Sequence, residues 1–310
     1  MDTQTNGRIM LVKLLHTDGK GKFLERTWTK PAMKSDEIEV KATMTGVCRS
    51  DIDMMHGNFG PLPLHMQGHE GLGQVTKVGT DVMGGVKVGD YVATRGEPAY
   101  ADYYNVRDTE FVVVPENDPK YIVEPVACGI NIVMTILNEL VARRKSKILI
   151  IGSGFLSTVV YAKLKALKLD NFVDVLGSSN RKFWEDRLIT EPRGKYDVVI
   201  DLKSESTLLF EFSYLLEDNP IIVMAAEKKG ITTTFGNFLW KNATMVFPSP
   251  RNPNFHFCMQ DAVNMIKTGM LNVDTFWTKA YDRETEWQQA FEDGTNRPEG
   301  YSRGYIKWNK

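Results

Sequence analysis

Hydrophobic residues in the first 125 positions recur in short runs that are rich in valine and tyrosine and are separated by glycines. Such runs are typical of strands joined by tight turns, and few helices fit between them. The segment therefore predicts a small, partly open β-barrel. Its predicted strands are residues 10–14, 37–44, 72–78, 91–94 and 111–114.

The spacing changes at residue 126. A single helix-compatible stretch to residue 145 precedes an unbroken apolar run at 148–151, which is typical of a strand buried on both faces. Strands and helices then alternate, and this alternation predicts a doubly wound parallel sheet and an α/β fold class. A further helix is predicted near the end of the chain. These later elements are a helix at 156–169, strands at 172–176, 196–201 and 220–225, and the closing helix at 258–268.

Composition and charge narrow the class of function. The 310 residues are 42% hydrophobic and 25% charged, which excludes disorder and allows one large core or two smaller ones. The 38 basic and 39 acidic side chains give a net charge of -1 with no long block of either sign. This balance favours a small-molecule partner over a nucleic acid or a membrane surface.

Three cysteines are too few for a disulfide framework in a chain of this length, which favours a reducing compartment. No signal-like segment opens the sequence, and no apolar run approaches the roughly 20 residues that a membrane-spanning helix needs. We therefore expect a cytoplasmic protein that spans no membrane.

A glycine-rich turn is the first candidate for binding chemistry. Gly-Ser-Gly-Phe-Leu-Ser at 152–157 follows a predicted strand and opens a predicted helix. In that context, backbone N–H groups at a positive helix end bind pyrophosphate, here at Gly152, Gly154, Phe155 and Leu156. Ser157 replaces the third glycine of the motif, so an ordinary tight turn remains the alternative.

The end of the second strand of this fold bears on the choice of dinucleotide. An acidic residue there would accept hydrogen bonds from the adenosine ribose, but the residue is Gly177. Ser178, Ser179, Arg181 and Lys182 follow, with hydroxyls and two cations and no carboxylate. This set favours a 2'-phosphate, and hence NADP(H) over NAD(H). The alternative is that the two cations only decorate the exposed start of a helix.

Two motifs in the first half carry metal-ligand residue types. They are Gly-Val-Cys-Arg-Ser-Asp at 46–51 and Gly-His-Glu at 68–70. Thiolate, imidazole and carboxylate all bind zinc, and a catalytic zinc needs three protein ligands and one open position. With these motifs ahead of a nucleotide-binding turn, the chain resembles the zinc-dependent medium-chain alcohol dehydrogenase superfamily.

The resemblance extends over almost the whole chain and implies two domains. A GroES-like β-barrel catalytic domain would comprise residues 1–125 and 250–310, and a Rossmann dinucleotide-binding domain residues 126–249. The cleft between them would hold the site. Further motifs fall in the family's order at 88–92, 99–103, 124–125 and 196–201.

By matching motif, the resemblance implies that Cys48 and His69 bind one catalytic Zn²⁺ and that Glu70 is a ligand or lies close behind one. Glu124 matches a position that is glutamate in the sorbitol, glucose and related polyol dehydrogenases, which points to a polyhydroxylated substrate. Cys128 would lie on the following helix as a small buried hydrophobe. Whether Glu70 or Glu124 binds zinc directly stays open.

The resemblance also implies roles around the reacting oxygen. Ser50 matches the hydroxyl that starts the proton relay, and Arg49 matches a basic position that reaches the cofactor pyrophosphate. Asp53 stands where many members carry a relay histidine, so Asp53 itself or His56 would pass the proton on, unless His56 is simply a loop residue. Asp51 would orient the His69 ring.

Two segments are short relative to the family. The 55 positions from His69 to Glu124 contain no cysteine, so the structural zinc lobe is absent and one zinc per chain is implied. Between Arg181 and Tyr196 there is room only for an abbreviated strand, at 188–190. The aromatic residues Phe235, Phe238, Trp240 and Phe247 are expected in the core or in a subunit contact, consistent with a homodimer or homotetramer.

The sequence thus predicts a zinc-dependent enzyme that moves hydride between NADP(H) and a secondary alcohol or ketone, with a polyol, sugar or sugar derivative as substrate. Three alternatives remain at this point. They are a catalytically inactive nucleotide-binding or regulatory relative, a simple alcohol or aldehyde reductase, and a zinc-free quinone or enoyl reductase, which typically lacks the cysteine and histidine found here.

Overall fold

The computed structural model describes residues 10–179, 181–204, 207, 213–228 and 235–308, excluding the side chain of Lys182. The chain divides into two compact units, residues 1–125 with 262–310 and residues 126–261. Residues 250–261 therefore group with the second unit in this division, whereas the sequence analysis assigned them to the first domain. The domain limits themselves stay a prediction.

The strands of the described residues are numbered in chain order. They are β1 (Met10–Thr17), β2 (Phe23–Lys30), β3 (Glu37–Gly46), β4 (Gly71–Val78), β5 (Tyr91–Thr94), β6 (Tyr103–Arg107), β7 (Phe111–Val114), β8 (Ile148–Ile151), β9 (Val173–Leu176), β10 (Leu188–Ile189), β11 (Tyr196–Asp201), β12 (Leu216–Met224), β13 (Thr244–Val246), β14 (Trp277–Asp282) and β15 (Arg303–Lys307).

The α-helices of the same residues are numbered likewise. They are α1 (Arg49–Met55), α2 (Glu124–Thr135), α3 (Leu137–Ala142), α4 (Phe155–Ala166), α5 (Arg181–Trp184), α6 (Gly236–Trp240), α7 (Phe255–Lys267) and α8 (Trp287–Asn296). No helix in these parts of the chain is both long enough and apolar enough to cross a membrane.

The first unit is built on a seven-stranded sheet around β3. The path of the sheet is β14-β15-β3-β4-β5-β7, and β6 pairs with the first half of β3. The second half of β3 pairs with β15, so that Tyr305 lies opposite Gly46. Strands β1 and β2 form a separate antiparallel ribbon, and side chains from both pack into the core of this unit.

The second unit contains a six-stranded parallel sheet in the order β10-β9-β8-β11-β12-β13. In chain order this is 3-2-1-4-5-6, the arrangement of a Rossmann fold, with its switch point between β8 and β11. All four residues of β8 are buried, as its unbroken apolar run predicts. Strand β10 has only two residues, so the abbreviated strand expected at 188–190 is present.

Several sequence-based expectations were wrong in detail. The helix expected over 126–145 is two helices that meet at Ile136, and it begins at Glu124. The first 125 residues contain the helix α1. Five strands of the described residues were not predicted, namely β2, β6, β13, β14 and β15. Only the first and last residues of β2 are buried, which explains why no clear alternation marks this strand.

Candidate metal and nucleotide site

Strand pairing brings the two metal motifs together. In the antiparallel pair of β3 and β4, Thr45 lies opposite Gly71, and the N–H of Gly46 donates to the carbonyl of Glu70 at 2.9 Å. Cys48 follows β3 and is the N-cap residue of α1, while His69 directly precedes Glu70. The ligand atoms of Cys48, His69 and Glu70 lie within 4.8 Å of one another.

Glu70 has a cationic partner, Arg303, that was not predicted from the sequence. Its side chain is fully buried, and both carboxylate oxygens lie 2.5 Å from Nη2 of Arg303. Arg303 begins β15, whose pairing with β3 delivers the guanidinium to this point although the two residues are 233 positions apart. Burial opposes the charge of Arg303, but the charges of Glu70 and Cys48 outweigh it and raise its pKa.

Asp51 connects the elements around the cluster. Its Oδ2 accepts a hydrogen bond from the N–H of Cys48 at 2.8 Å and from the hydroxyl of Tyr100 at 2.8 Å. Its Oδ1 lies 3.8 Å from Nδ1 of His69, which is beyond hydrogen-bond distance. Burial raises the pKa of the Asp51 carboxyl. Burial of the Tyr100 hydroxyl and the charge of Asp51 raise the pKa of Tyr100.

The environment of His69 is anionic. Burial disfavours its protonated form, but a hydrogen bond with the Cys48 thiol and the charges of Asp51 and Glu124 outweigh burial and raise its pKa. Glu124, the first residue of α2, is itself buried. Its charge contributes to raising the pKa of His69 and of Arg303, although the group of three converging ligand atoms does not include it.

The donor set suits zinc, since a thiolate, an imidazole and a carboxylate are the ligands that Zn²⁺ takes in catalytic sites. Three potential ligand atoms converge, and a second buried carboxylate, that of Glu124, lies near them. The charges of Asp51 and Glu124 around His69 are of the sign that attracts a cation, whereas Glu70 is paired with Arg303.

The predicted relay residues all lie on or beside α1. Ser50, in its first turn, is half-buried. Asp53 accepts a hydrogen bond from the side-chain amide of Asn58 at 3.1 Å, and its Oδ2 lies 3.9 Å from Nε of Arg49. His56 caps the C-terminus of α1 and is exposed.

The glycine turn has the local form that the motif predicts. Gly152, at the end of β8, has φ of 110°, and Gly154 is the N-cap residue of the 12-residue helix α4. A Cβ on Gly154 would meet no atom within 4 Å, so the backbone at the helix start is accessible. The hydroxyl of Ser157 donates to the carbonyl of Gly152 at 2.8 Å and thus closes the turn in place of the third glycine. Phe155 is buried and Leu156 half-buried.

The loop after β9 carries the residues expected at a 2'-phosphate. Ser178, Ser179 and Arg181 are exposed, and Arg181 begins the one-turn helix α5. Ser179 is bonded to Ser153 of the glycine turn, which ties the loop to the turn. The side chain of Lys182 lies outside the described residues.

One smaller expectation needs correction, and a second, for the core or a subunit contact, is met in the core by one residue only. Cys128 lies on α2 as predicted but is half-buried, so it is not a simple core residue. Of the four aromatic residues around β13, only Phe238 is in the core, whereas Phe235, Trp240 and Phe247 are 60%, 87% and 70% exposed.

The sequence contained little signal for Arg303 or for the role of Tyr100. No motif of metal-ligand residues surrounds Arg303 in the sequence, and the pairing of β15 with β3 explains its position beside Glu70. Tyr100 belongs to one of the motifs that carry the family resemblance. Its hydrogen bond to Asp51 joins residues that are 49 positions apart in the sequence.

Comparison with known proteins agrees with this geometry. Residues 34–118 match the family model of the alcohol dehydrogenase GroES-like domain. NADP-dependent alcohol dehydrogenase 6 of Saccharomyces cerevisiae is 27% identical over 207 residues, which cover 54% of this chain and 56% of that enzyme, so the match spans little more than half of its length. D-arabinitol dehydrogenase 1 of Uromyces fabae is 23% identical, over 86% of this chain and 89% of that one.

A solved structure extends the likeness of fold over nearly the whole molecule. The NADP-bound structure of a candidate zinc-binding dehydrogenase from Sinorhizobium meliloti has a TM-score of 0.75 at 17% identity and covers 96% of this chain and 100% of its own. The expected GroES-like domain and Rossmann-like parallel sheet are thereby confirmed. Residues 34–118 thus form an alcohol dehydrogenase GroES-like domain, and the chain is similar to alcohol and polyol dehydrogenases of the medium-chain dehydrogenase/reductase superfamily.

Proposed function

We propose that this protein is a zinc-dependent oxidoreductase that transfers hydride between NADP(H) and a secondary alcohol or the matching ketone. The substrate is a polyol, a sugar or a sugar derivative. The observation that carries the proposal is the convergence of Cys48 and His69 with buried carboxylates: the ligand atoms of Cys48, His69 and Glu70 lie within 4.8 Å of one another, and the charge of the buried Glu124 acts on His69. Similarity to alcohol and polyol dehydrogenases gives this cluster its chemical context.

Cys48, His69 and Glu124 hold the metal in this proposal, and Glu70 supports them. Both oxygens of Glu70 accept hydrogen bonds from Arg303, so this carboxylate already has a partner. Glu124 is buried, its charge acts on His69, and its carboxylate would supply the third ligand. Zinc in such a site supplies a Lewis acid that polarises a substrate oxygen and lowers the pKa of an alcohol.

The glycine turn and the loop after β9 bind the dinucleotide. The start of α4, where a Cβ on Gly154 would meet no atom within 4 Å, suits a pyrophosphate. Ser178, Ser179 and Arg181 offer donors for a 2'-phosphate, while Gly177 offers no carboxylate for a ribose diol. The nicotinamide, when bound, supplies the hydride acceptor or donor.

Ser50 accepts the proton of the substrate alcohol and passes it on. It lies two positions after Cys48 in the first turn of α1, and its hydroxyl can both accept and donate. Asp53 and His56 on the same helix are the candidates for passing the proton to solvent. His56 is exposed, whereas Asp53 is engaged with Asn58.

Two relatives favour different substrates. Similarity to D-arabinitol dehydrogenase 1 along most of the chain, together with glutamate at position 124, supports a polyol. Similarity to an NADP-dependent alcohol dehydrogenase supports a simple alcohol or aldehyde as the second candidate.

The proposal includes an assembly in the cytoplasm. The exposed aromatic residues around β13 would form a subunit contact in a homodimer or homotetramer.

The test is a spectrophotometric screen of the purified protein. Ketoses, polyols, sugar phosphates and simple alcohols are each supplied with NADP(H) and, in parallel, with NAD(H), and the nicotinamide absorbance is followed. Turnover of a polyol or sugar with NADP(H) is expected. Turnover confined to simple alcohols would favour the second candidate, and preference for NAD(H) would contradict the cofactor assignment.

Metal analysis of the same preparation separates the enzyme from an inactive relative. One tightly bound zinc per chain is expected. Protein that is free of zinc after expression in zinc-supplemented medium, and inactive throughout the screen, would favour a nucleotide-binding or regulatory role.

A further inference from the structure

Ser153, the middle residue of the glycine turn, connects that turn to the loop after β9. Its side chain is buried, with 5% of the residue exposed. The Oγ atom lies 2.8 Å from the hydroxyl of Ser179 and accepts a hydrogen bond from the N–H of Ser179 at 3.0 Å. The carbonyl of Ser153 accepts a separate hydrogen bond from the indole N–H of Trp184 at 3.0 Å.

The same side chain fills the space over Gly177. A Cβ on Gly177 would lie 2.3 Å from Oγ and 2.6 Å from Cβ of Ser153. Carbon atoms in ordinary contact are about 3.5–4.0 Å apart, so no side chain fits at position 177 while Ser153 keeps its conformation. Gly177 is not among the glycines with positive φ, so lack of space and not backbone strain excludes a side chain here.

We infer that Ser153 is a specificity-determining residue for the cofactor, an inference that rests on the proposed dinucleotide-binding function. Position 177 directly follows β9, the second strand of the fold, where a carboxylate would bind the ribose diol of NAD. By occupying the space in which such a side chain would start, Ser153 excludes the carboxylate. By bonding Ser179, it also fixes the hydroxyl loop that faces a 2'-phosphate.

Positions 153 and 177 therefore form a coupled pair. A carboxylate introduced at 177 alone must displace Ser153 and, with it, the Ser179 loop. Removing the Ser153 side chain first leaves only its backbone N, at 3.1 Å, as the nearest atom to a new Cβ. The hydrogen bond of Trp184 is made to a backbone carbonyl and does not depend on the side chain at 153.

The experiment measures the binding of NADPH and NADH by fluorescence titration to four full-length proteins: wild type, Ser153→Gly, Gly177→Asp and the double variant. We expect Gly177→Asp to bind both nucleotides weakly. The double variant should bind NADH at least tenfold more tightly than Gly177→Asp does, and NADPH at least tenfold more weakly than wild type. A Gly177→Asp protein that gains NADH binding by itself would overturn the inference.

A matched control uses the other serine of the turn. Ser157 bonds the carbonyl of Gly152 and is not among the three atoms nearest to a Cβ at position 177. Ser157→Ala should therefore leave the Gly177→Asp protein as weak a binder of NADH as before. Equal rescue by Ser157→Ala and Ser153→Gly would mean that general loosening of the turn is responsible, and would overturn the specific role of Ser153.

A second measurement tests the coupling without any nucleotide. The Tm of wild type, Gly177→Ala, Ser153→Gly and their double variant forms a thermodynamic cycle. Gly177→Ala should lower Tm in the presence of Ser153 and have little effect in its absence, whereas additive changes would overturn the inference. Failure of the wild type to bind either nucleotide would instead refute the proposed function, because the cycle reports the steric coupling independently.

Discussion

The ion pair between Arg303 and Glu70 provides a direct test of how the candidate metal site is held together. The Arg303→Met variant keeps the apolar stem of the side chain and removes its charge. Glu70 is then left fully buried with an unpartnered carboxylate beside Cys48. The guanidinium carbon also lies 5.0 Å from the ring of Trp277, and this cation–π contact is lost as well.

The expected cost follows from the burial of the two groups. Removing one partner of a buried ion pair typically costs about 3–5 kcal/mol, because the remaining charge has lost its solvation and its partner. The side chains of Arg303 and Glu70 are 13% and 0% exposed, so we expect about 3 kcal/mol, at the lower end of that range. Glu70→Gln in the Arg303→Met background should recover part of this loss, since it removes the buried charge.

The assay is equilibrium urea unfolding in the presence of a chelator, so that bound metal does not contribute. Tryptophan fluorescence is a suitable probe because Trp277 adjoins the pair. Arg49→Met is the matched control: Arg49 is 48% exposed, 3.9 Å from its carboxylate partner, and should contribute less than about 1 kcal/mol. A loss for Arg303→Met no larger than that for Arg49→Met would refute the reasoning.

Two further substitutions test packing and charge in the first unit. Glu39→Gln breaks a buried pair with Lys30 at 2.8 Å and should cost about 3 kcal/mol at neutral pH; because the fold lowers the pKa of Glu39, this stabilisation is complete above the unfolded-state pKa near 4.5 and is lost as pH falls through the folded-state pKa. Urea unfolding should therefore show a smaller difference between variant and wild type in acid, and a constant difference would contradict the assignment. Gly46→Ala would bring a Cβ to 2.1 Å from Oε2 of Glu70 and should lower Tm, whereas Gly236→Ala, with no atom within 4 Å, should not; equal effects on Tm would be inconsistent with the close approach at Gly46.

Elements with a continuous apolar pattern were predictable from sequence to the residue. Strands β8 and β11 occupy 148–151 and 196–201 as expected, because β8 is an unbroken run of branched apolar residues and β11 has Val-Val-Ile at its centre. The ribbon strand β2 was missed, since only its first and last residues are buried and its polar centre carries no alternation. The break at Ile136 was missed because no glycine or proline marks it.

The residues of the candidate site likewise differ in whether the sequence could predict them. Cys48, His69 and Glu70 could be found from local motifs, and strand pairing brings them together. Arg303 could not be found, because its partnership with Glu70 spans 233 positions and depends on the register of β15 against β3. The steric relation between Ser153 and Gly177 likewise requires coordinates, since each residue alone reads as an ordinary turn residue.

Cys48 tests the central claim most directly, because its thiol is one of the three converging ligand atoms. The measurement is the rate of NADPH oxidation with the best carbonyl substrate, for wild type and Cys48→Ala, together with zinc content and NADPH affinity. We expect Cys48→Ala to lose zinc and turnover while its NADPH affinity stays within about twofold of wild type. Full turnover in the zinc-free variant would contradict a zinc-dependent oxidoreductase.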